Sequence, residues 1–381
     1  MASRPTQSLP LDWLGMLPEE LSSLMEELGE PAYRGTQLFE WLHCHRVWQF
    51  DEMTNLPKAL RKTLAAYKAL PQPQLVNRLT APDGTVKMAF ARPGEEKLGL
   101  YETVSIPQQW GHTLCISSQI GCPVACAFCQ TGMMGLRRNL TAGEIVHQLH
   151  LAEMVLSLSF RSIVFMGMGE PMLNVDGVIS AIRILTHPRG RNFSARHITV
   201  STVGIPEALE KLIASGLKVN LALSLHFPDP DQRVKEMPLT ARWPLERVIE
   251  LLEEHERNTG AKITLEYVLL ASLNDRESDL RRLIQLARPR RWHVNLIEYN
   301  PVPGAVSYQR GFTLRPTSPE RTEHFRQSLV RAGVDCTVRI SRGREVAAAC
   351  GQLGRGIPPT PQARRLREKL ALGRGSTGRG V

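Results

Sequence analysis

The sequence lacks a continuous apolar run of the roughly 18 residues that a membrane-spanning helix needs, and its first residues contain no apolar segment typical of a signal peptide. We therefore expect a cytoplasmic protein with no membrane partner. Cysteine is also scarce, with seven in 381 residues. In a reducing compartment such cysteines serve metal binding or catalysis rather than a disulfide framework. The length favours one large catalytic domain with smaller appended parts, and we expect a monomer.

Acidic residues are in deficit: 37 Asp and Glu face 47 Lys and Arg, a formal net charge of +10. Such an excess suggests a polyanionic partner without identifying it. Residues 353–381 contain seven Lys or Arg and one acid, Glu368, so +6 of the charge lies at this end of the chain. The composition of residues 354–381 predicts a basic, disordered tail, which could bind RNA phosphates or act only as a solubilising terminus.

Three of the cysteines, Cys122, Cys126 and Cys129, form a CxxxCxxC segment directly after the strand-like residues 112–118. Three thiolates are one fewer than a closed structural zinc site requires and one fewer than complete protein ligation of a four-iron cluster. A cluster held by three cysteines keeps one iron open to a small molecule. The alternative is a zinc site that takes Cys115 as its fourth ligand.

The first part of the chain, residues 1–95, is predicted to be an accessory module that docks on RNA. A helix begins with Pro18 and ends before Gly29, since proline and acids are typical of a first helical turn and glycine of a helix end. Further elements are predicted at residues 34–44 and 57–67 as helices, and at 75–79 and 86–91 as a hairpin.

From residue 96 to residue 353 the pattern changes to strands alternating with helices. Thr141 and Glu144 form a capping box that starts one of these helices. Strands alternating with helices predict parallel strands in a layered α/β architecture, and six units rather than eight predict an open, partial (βα)6 barrel. The six strands are predicted at residues 112–118, 162–166, 197–201, 219–225, 262–270 and 292–299.

Polar residues follow the predicted strands where a barrel places its active site, at the carboxyl ends. The second strand ends in a glycine-rich segment that contains Glu170, whose carboxylate can accept a hydrogen bond from an ammonium group. Ser201, Ser224, His226 and Asn300 end later strands. Each of them could be structural alone, but together beside a three-thiolate loop they predict a pocket for one polar ligand.

These segments together resemble the RlmN/Cfr family of radical-S-adenosylmethionine (SAM) RNA methyltransferases, and the RlmN branch most. The resemblance runs in order from about residue 17 to residue 353. It rests on YETV at 101–104, TLCISSQ at 113–119, the CxxxCxxC loop, GMGEP at 167–171, SLH at 224–226 and AACGQL at 348–353.

The resemblance implies a radical-SAM barrel with a [4Fe-4S] cluster on Cys122, Cys126 and Cys129, and two SAM molecules per turnover. It implies that Cys350 is methylated, that Cys115 resolves it through a transient disulfide bond, and that Glu102 accepts a proton. It further implies adenine in 23S rRNA, and possibly tRNA, as substrate, and a donor such as flavodoxin or ferredoxin. The SAM contacts that it implies are Gly169, Glu170, Ser201, Ser224, Leu225, His226 and Asn300.

The chemistry explains why two cysteines are needed outside the cluster. Carbon 2 of adenine is electron-poor and cannot attack the methyl group of SAM, whereas a thiolate can. Cys350 would therefore carry the methyl group, and Cys115 would release the methylated RNA from it. The alternatives are methylation at carbon 8, as in the Cfr branch, a radical-SAM enzyme with another substrate, and a zinc-stabilised RNA-binding protein without activity.

Overall fold

The computed structural model describes residues 12–67 and 72–372. The amino-terminal module has the three helices that the sequence predicts: α1 (Pro18–Glu27), α2 (Tyr33–Glu40) and α3 (Lys58–Ala66). A π-helical turn, Trp41–His45, extends α2. Leu21, Leu38 and Leu60 are buried because apolar residues at helical spacing face one shared core.

Ten strands form one sheet in the described part of the chain, and two short strands pair separately. In chain order the strands are β1 (Gln74–Thr80), β2 (Val86–Ala91), β3 (Tyr101–Gln108), β4 (Gly111–Cys115), β5 (Gln119–Ile120), β6 (Arg138–Asn139), β7 (Phe160–Phe165), β8 (Ile198–Thr202), β9 (Asn220–Ser224), β10 (Ile263–Leu269), β11 (His293–Glu298) and β12 (Cys336–Arg339).

The large sheet is open and has the order β1-β2-β3-β4-β7-β8-β9-β10-β11-β12. Strands β1 to β4 are antiparallel to one another, whereas β4 and β7 to β12 are parallel. The six predicted parallel strands are confirmed, and β12 adds a seventh. The α/β class and the partial barrel are therefore correct.

Two features of the sheet differ from the sequence interpretation. Strand β3, which contains Glu102, was not predicted as a strand, and it pairs with β2 on one side and β4 on the other. The predicted hairpin β1–β2 thereby extends the main sheet, so a boundary at residue 95 divides a continuous sheet. The helical part of the module ends with α3.

The remaining helices follow the strands as the alternating pattern requires. Thr141 caps α5 as predicted: its side chain accepts from the N–H of Glu144, and the Glu144 carboxylate accepts from the N–H of Thr141 at 2.9 Å. These helices are α4 (Gln130–Met134), α5 (Ala142–Leu156), α6 (Val175–Thr186), α7 (Pro206–Ala214), α8 (Pro230–Glu236), α9 (Leu245–Thr259), α10 (Glu277–Ala287), α11 (Pro319–Arg331) and α12 (Pro361–Leu372).

The prediction of a disordered tail is wrong for much of residues 354–381, because α12 forms there and packs against α4. The reason is local: Thr360 N–H donates to the carbonyl of Met134 at 2.9 Å, and Ala363 is buried. Residues 373–381 lie outside the described residues. Within the described ranges, no helix has the length and apolar character to span a membrane.

A cluster of buried histidines joins the amino-terminal module to α5. The rings of His43 and His150 lie 5.5 Å apart between centroids, and Trp48 packs on His147 at 4.6 Å. Neither ring nitrogen of His43 or His150 has a hydrogen-bond partner. Burial and the neighbouring imidazoles lower the pKa of His43 to about 3, so the contact requires neutral rings.

Because of this histidine cluster, we expect the free energy of unfolding to fall at acidic pH. An unfolded histidine binds a proton below about pH 6.5, but folded His43, with its pKa lowered to about 3, cannot. Stability is therefore lost as pH falls from 6.5 towards 3, by about 2 kcal/mol at pH 5 from His43 alone. We expect His43→Leu to reduce the fall in thermal midpoint between pH 7.5 and pH 5. Exposed His45→Gln is the control, and equal slopes for both variants would contradict this account.

Candidate active site

Two chambers occupy opposite ends of the parallel strands. The narrow chamber, about 160 Å³, is lined by residues at the carboxyl ends, including the three-cysteine loop. The wide chamber, about 790 Å³, is lined by residues at the amino ends and along the strands. Both chambers are lined by Met166, Glu266, Ile297, Arg339 and Cys350. These five residues therefore form the wall where the two chambers meet.

Cys122, Cys126 and Cys129 line the narrow chamber together. Burial raises the pKa of each thiol, and their mutual charges add to this effect for Cys122 and Cys126. Ala125 holds the loop in the left-handed region with φ of 58°. Within the described residues, no three His, Cys, Asp or Glu side chains converge on a point that one metal ion could occupy. Three cysteines in one chamber are the donor set that would bind three of the four irons of a [4Fe-4S] cluster.

The glycine-rich segment after β7 is shaped by close packing. Gly169 has φ of +100°, and a Cβ there would lie 2.6 Å from the Cβ of Gln119. A Cβ on Gly167 would lie 2.6 Å from the carbonyl oxygen of Ile116. The glycines are therefore required by the neighbouring chain, while both also line the narrow chamber.

Glu170 follows these glycines and is buried in the same chamber. Its carboxylate accepts hydrogen bonds from the N–H groups of Met172 at 3.0 Å and Val203 at 2.9 Å. Burial raises its pKa to about 6, although these hydrogen bonds oppose the rise. The carboxylate is thus fixed in direction and is ionised at neutral pH.

The ends of β8 and β9 bring the predicted polar residues together. The hydroxyl oxygens of Ser201 and Ser224 lie 3.1 Å apart. His226, at φ of 53°, accepts from the N–H of Val268 at Nδ1 at 3.1 Å, which leaves its proton on Nε2. Burial lowers its pKa to about 3, so the ring is neutral. Leu225 is buried and does not line the chamber.

Arg233, which the sequence did not predict as a site residue, stabilises the backbone at the ends of β8 and β9. Arg233, on α8, is buried and donates to the carbonyls of Ser224 at 2.8 Å, Val203 at 2.7 Å and Leu225. Burial lowers its pKa to about 10, which the negative charges of Cys126 and Glu170 oppose. No sequence signal identified it, because its proximity to the thiols arises from the packing of α8 under the cysteine loop.

Cys350 is held at the wall by contacts along its whole segment. Asn300, the last predicted pocket residue, donates from its amide to the Cys350 carbonyl at 3.3 Å. Gly351 accepts from the N–H of Gln130 at 2.7 Å, and Leu353 accepts from the Thr131 hydroxyl at 2.8 Å. These hydrogen bonds hold the Cys350 segment beside the cysteine loop.

Cys115 ends β4 and lines the wide chamber with Cys350. All seven cysteines are free, so the predicted pairing of Cys115 with Cys350 is not formed in this state and stays a prediction. Burial and the nearby charge of Cys350 raise the pKa of Cys115 to about 12, while Arg339 opposes this rise. Arg339, which the sequence reasoning did not identify, carries a positive charge that both thiols and Glu266 stabilise.

Glu102 lies behind the Cys350 segment and lines neither chamber. One carboxylate oxygen is 3.1 Å from the ammonium of Lys87, and the other accepts from the N–H of Gly354 at 2.7 Å. Lys87 also donates to the carbonyl of Ala347 at 3.2 Å. The pair thus ties β2 and β3 to both ends of the segment that carries Cys350.

The fold and the chambers define a class. A parallel partial barrel with three cysteines after its first parallel strand and a glycine-rich turn after the second is the arrangement of radical-SAM enzymes. Residues 116–285 match the model of the Radical SAM superfamily. Residues 11–69 match the ribosomal RNA large subunit methyltransferase N-terminal domain.

Similar proteins narrow the class from radical-SAM enzymes in general to one family. The chain is 40% identical over 345 residues to a probable dual-specificity RNA methyltransferase RlmN of Symbiobacterium thermophilum, covering 89% of this chain and 90% of the relative. It is 41% identical to the Moorella thermoacetica protein of that name, covering 90% and 97%. A solved radical SAM methyltransferase from Sphaerobacter thermophilus superposes with a TM-score of 0.80 at 38% identity, covering 91% and 99%.

The chain belongs to the RlmN family of radical-SAM RNA methyltransferases. This membership confirms the resemblance and shows that the protein is an enzyme. The alternative of a zinc-stabilised RNA-binding protein without activity is therefore wrong. The family implies SAM and an iron–sulfur cluster as cofactors.

The position of Arg339 predicts the reactivity of Cys115. Arg339→Met removes a charge that opposes the rise of the Cys115 pKa to about 12, so less thiolate forms at a given pH. We expect iodoacetamide to label Cys115 more slowly, by about tenfold for each unit of pKa, as measured by mass spectrometry of the cluster-free protein at pH 8 to 10.

Cys336 lies on β12 with Arg339 and provides an internal control, since burial raises its pKa to about 12 without a contribution from Arg339. Its labelling rate should stay constant, and Arg339→Lys should restore that of Cys115. Equal slowing of both cysteines would instead indicate a disturbed strand.

Proposed function

We propose that this protein methylates carbon 2 of an adenine in 23S rRNA, and possibly in tRNA, through a methyl group carried on Cys350. The observation that carries the proposal is that Cys350 lines both chambers. A sulfur at that wall can receive a group from one side and deliver it to the other. The resemblance to the RlmN branch supports carbon 2 as the methylated atom and ribosomal RNA as the substrate.

The narrow chamber suits the cofactors. Cys122, Cys126 and Cys129 would hold a [4Fe-4S] cluster, and the ionised Glu170 would accept a hydrogen bond from the SAM ammonium group. Neutral His226, with its proton on Nε2, and the hydroxyls of Ser201 and Ser224 offer uncharged donors for the rest of that ligand, with Gly169 and Asn300 beside them. Leu225, which the resemblance also implies as a SAM contact, does not line this chamber. When bound, the cluster supplies the electron that turns SAM into a source of a hydrogen-abstracting radical, while another SAM supplies the methyl group.

The wide chamber suits the RNA. Its volume of about 790 Å³ falls in the range of pockets that enclose drug-sized ligands, which are larger than one base. Its mouth carries exposed Arg161 and Arg196 and half-buried Arg342, cations that can bind phosphates. Trp110, 56% exposed at the same mouth, offers a ring on which a base can stack.

The two thiols would act in sequence across the wall. The Cys350 thiolate attacks the methyl carbon of SAM, and its new S–C bond replaces the bond to the sulfonium sulfur. After that carbon has lost a hydrogen and joined the adenine, the Cys115 thiolate would attack the sulfur of Cys350. An S–S bond forms, the S–C bond breaks, and its electron pair stays with the released carbon, which takes up a proton. Arg339 opposes the rise of the Cys115 pKa that burial causes, and the charge of Cys350 in turn stabilises the positive charge of Arg339.

Glu102 is proposed to accept the ring proton, but its surroundings set a condition. Its carboxylate already accepts from Lys87 and from Gly354 N–H. The role therefore requires the Cys350 segment to leave these contacts during turnover. Proton transfer would neutralise the Glu102 carboxylate and so end its ion pair with Lys87.

The methyl carrier can be identified directly. We expect purified protein to contain S-methylcysteine at position 350 by peptide mass spectrometry. Cys350→Ala should abolish RNA methylation while reductive SAM cleavage continues, and Cys115→Ala should trap a protein–RNA adduct, because no thiol remains to attack the sulfur of Cys350. Cys336→Ala, a buried cysteine outside both chambers, is the matched control. Unmodified Cys350 in active protein would contradict the proposal, and mapping the product adenine would separate carbon 2 from carbon 8.

SAM affinity should depend on the charge of Glu170. Since burial raises the pKa of Glu170 to about 6, its ionised form is lost as pH falls below that value, and we expect SAM to bind more weakly there. Glu170→Gln should weaken SAM binding at least tenfold at pH 7.5 in equilibrium dialysis, because the amide loses the charge. Glu298→Gln, at the edge of the same chamber, is the control. Unchanged affinity for Glu170→Gln would remove this residue from the SAM site.

A further inference from the structure

Helix α12 adds a compact positive surface that the proposed chemistry does not use. Residues 361–372 carry four cations and one carboxylate, a net charge of +3. Arg364, Arg365 and Lys369 are exposed, as is Arg355 just before the helix. The only carboxylate on the helix is Glu368.

The helix is fixed next to the three-cysteine loop. It packs against α4, whose amino-terminal cap is Cys129. Thr360 N–H donates to the Met134 carbonyl at 2.9 Å, and Arg137 donates to the Pro358 carbonyl at 2.8 Å. Packed helices have axes about 8–10 Å apart, so the exposed face of α12 lies one helix layer beyond the loop that carries Cys129.

A side chain between these elements links them more closely. The hydroxyl of Tyr308 is buried without a hydrogen-bond partner. Burial raises the pKa of Tyr308 to about 12, and the nearby charges of Arg367 on α12 and of Cys126 and Cys129 also act on it. Arg367 in turn donates to the Gly304 carbonyl at 3.2 Å. Arg367 on α12 and the thiols of Cys126 and Cys129 are thus all close enough to Tyr308 for their charges to influence its pKa.

This surface lies at the opposite end of the barrel from the mouth of the wide chamber. That mouth is formed by residues that precede or begin parallel strands, such as Arg161 on β7 and Arg196 before β8. Helix α12 and the cysteine loop lie instead at the carboxyl ends. An RNA whose base reaches Cys350 through the wide chamber would thus leave α12 uncovered.

We propose that the exposed cations of α12 form the docking surface for a small acidic protein that carries a flavin or an iron–sulfur cluster and donates single electrons to the cluster on Cys122, Cys126 and Cys129. One electron leaves the reduced partner and enters that cluster, with no bond formed. The inference rests on the proposed function for the presence of the cluster. Opposite charge speeds such an encounter and makes it sensitive to salt.

The test compares Arg364→Gln/Arg365→Gln/Lys369→Gln with a control that loses three exposed cations elsewhere, Arg183→Gln/Lys218→Gln/Arg281→Gln. The partner is purified acidic flavodoxin. Its dissociation constant is measured by anisotropy at 50 and 200 mM salt, both with and without the cluster. Reductive SAM cleavage is measured as 5′-deoxyadenosine released with flavodoxin or with dithionite, and RNA affinity is measured in parallel.

We expect the α12 variant to bind flavodoxin at least tenfold more weakly and to lose flavodoxin-driven SAM cleavage to a similar extent. Its dithionite-driven cleavage and RNA affinity should stay within twofold of the control. Flavodoxin binding equal to the control would overturn the proposal. So would weaker RNA binding in the α12 variant, with or without an effect on flavodoxin, because the helix would then serve the nucleic acid. SAM cleavage without RNA methylation would contradict the proposed function alone.

Discussion

Burial of thiols is the constraint on which the structure depends. A buried sulfur resists losing its proton, and the pKa of Cys115 rises to about 12 for that reason. An enzyme that uses thiolates must therefore place compensating charge nearby. The positive charge of Arg339 lies near Cys115 and Cys350, and that of Arg233 lies near Cys126 and Glu170. Both cations are held by the barrel, so the reactivity of the cysteines is a property of the fold rather than of the cysteine segments alone.

The sheet also determines where Cys350 can lie. The segment after β12 returns to strands from the other edge of the sheet: Gly343 N–H donates to Asp83 at 3.0 Å, Lys87 donates to Ala347, and Glu102 accepts from Gly354. The antiparallel strands β1 to β3 thus do more than extend the barrel. They provide the anchors that hold the reactive cysteine at the wall between the two chambers, which explains why Glu102 lies behind that segment and outside both chambers.

The two ends of the parallel strands have different proposed roles: the carboxyl ends bind the cofactors, and the amino ends receive the RNA. The carboxyl ends gather thiols, a carboxylate and neutral polar groups in a small chamber, while the amino ends open into a large one with cations at its mouth. The two chambers meet at the shared wall. Since α12 is fixed at the carboxyl side, its positive charge and that of the wide mouth face different surroundings and can serve different partners.

The sequence by itself determined the elements whose signals are local. The capping box at Thr141 and the alternation of strands and helices each depend on residues a few positions apart, and both predictions are confirmed. The family and the positions of Glu170, Ser201, Ser224, His226 and Asn300 followed from strand ends and motifs. Tertiary structure alone decided the rest. Lys87, Arg233 and Arg339 reach the site from distant segments, Glu102 joins an unpredicted strand, and the basic tail becomes a helix because α4 offers it a surface. Contacts between distant segments produce no periodic pattern in the sequence. They can therefore be identified only from the folded structure, in which the segment after β12 contacts strands of the other edge of the sheet.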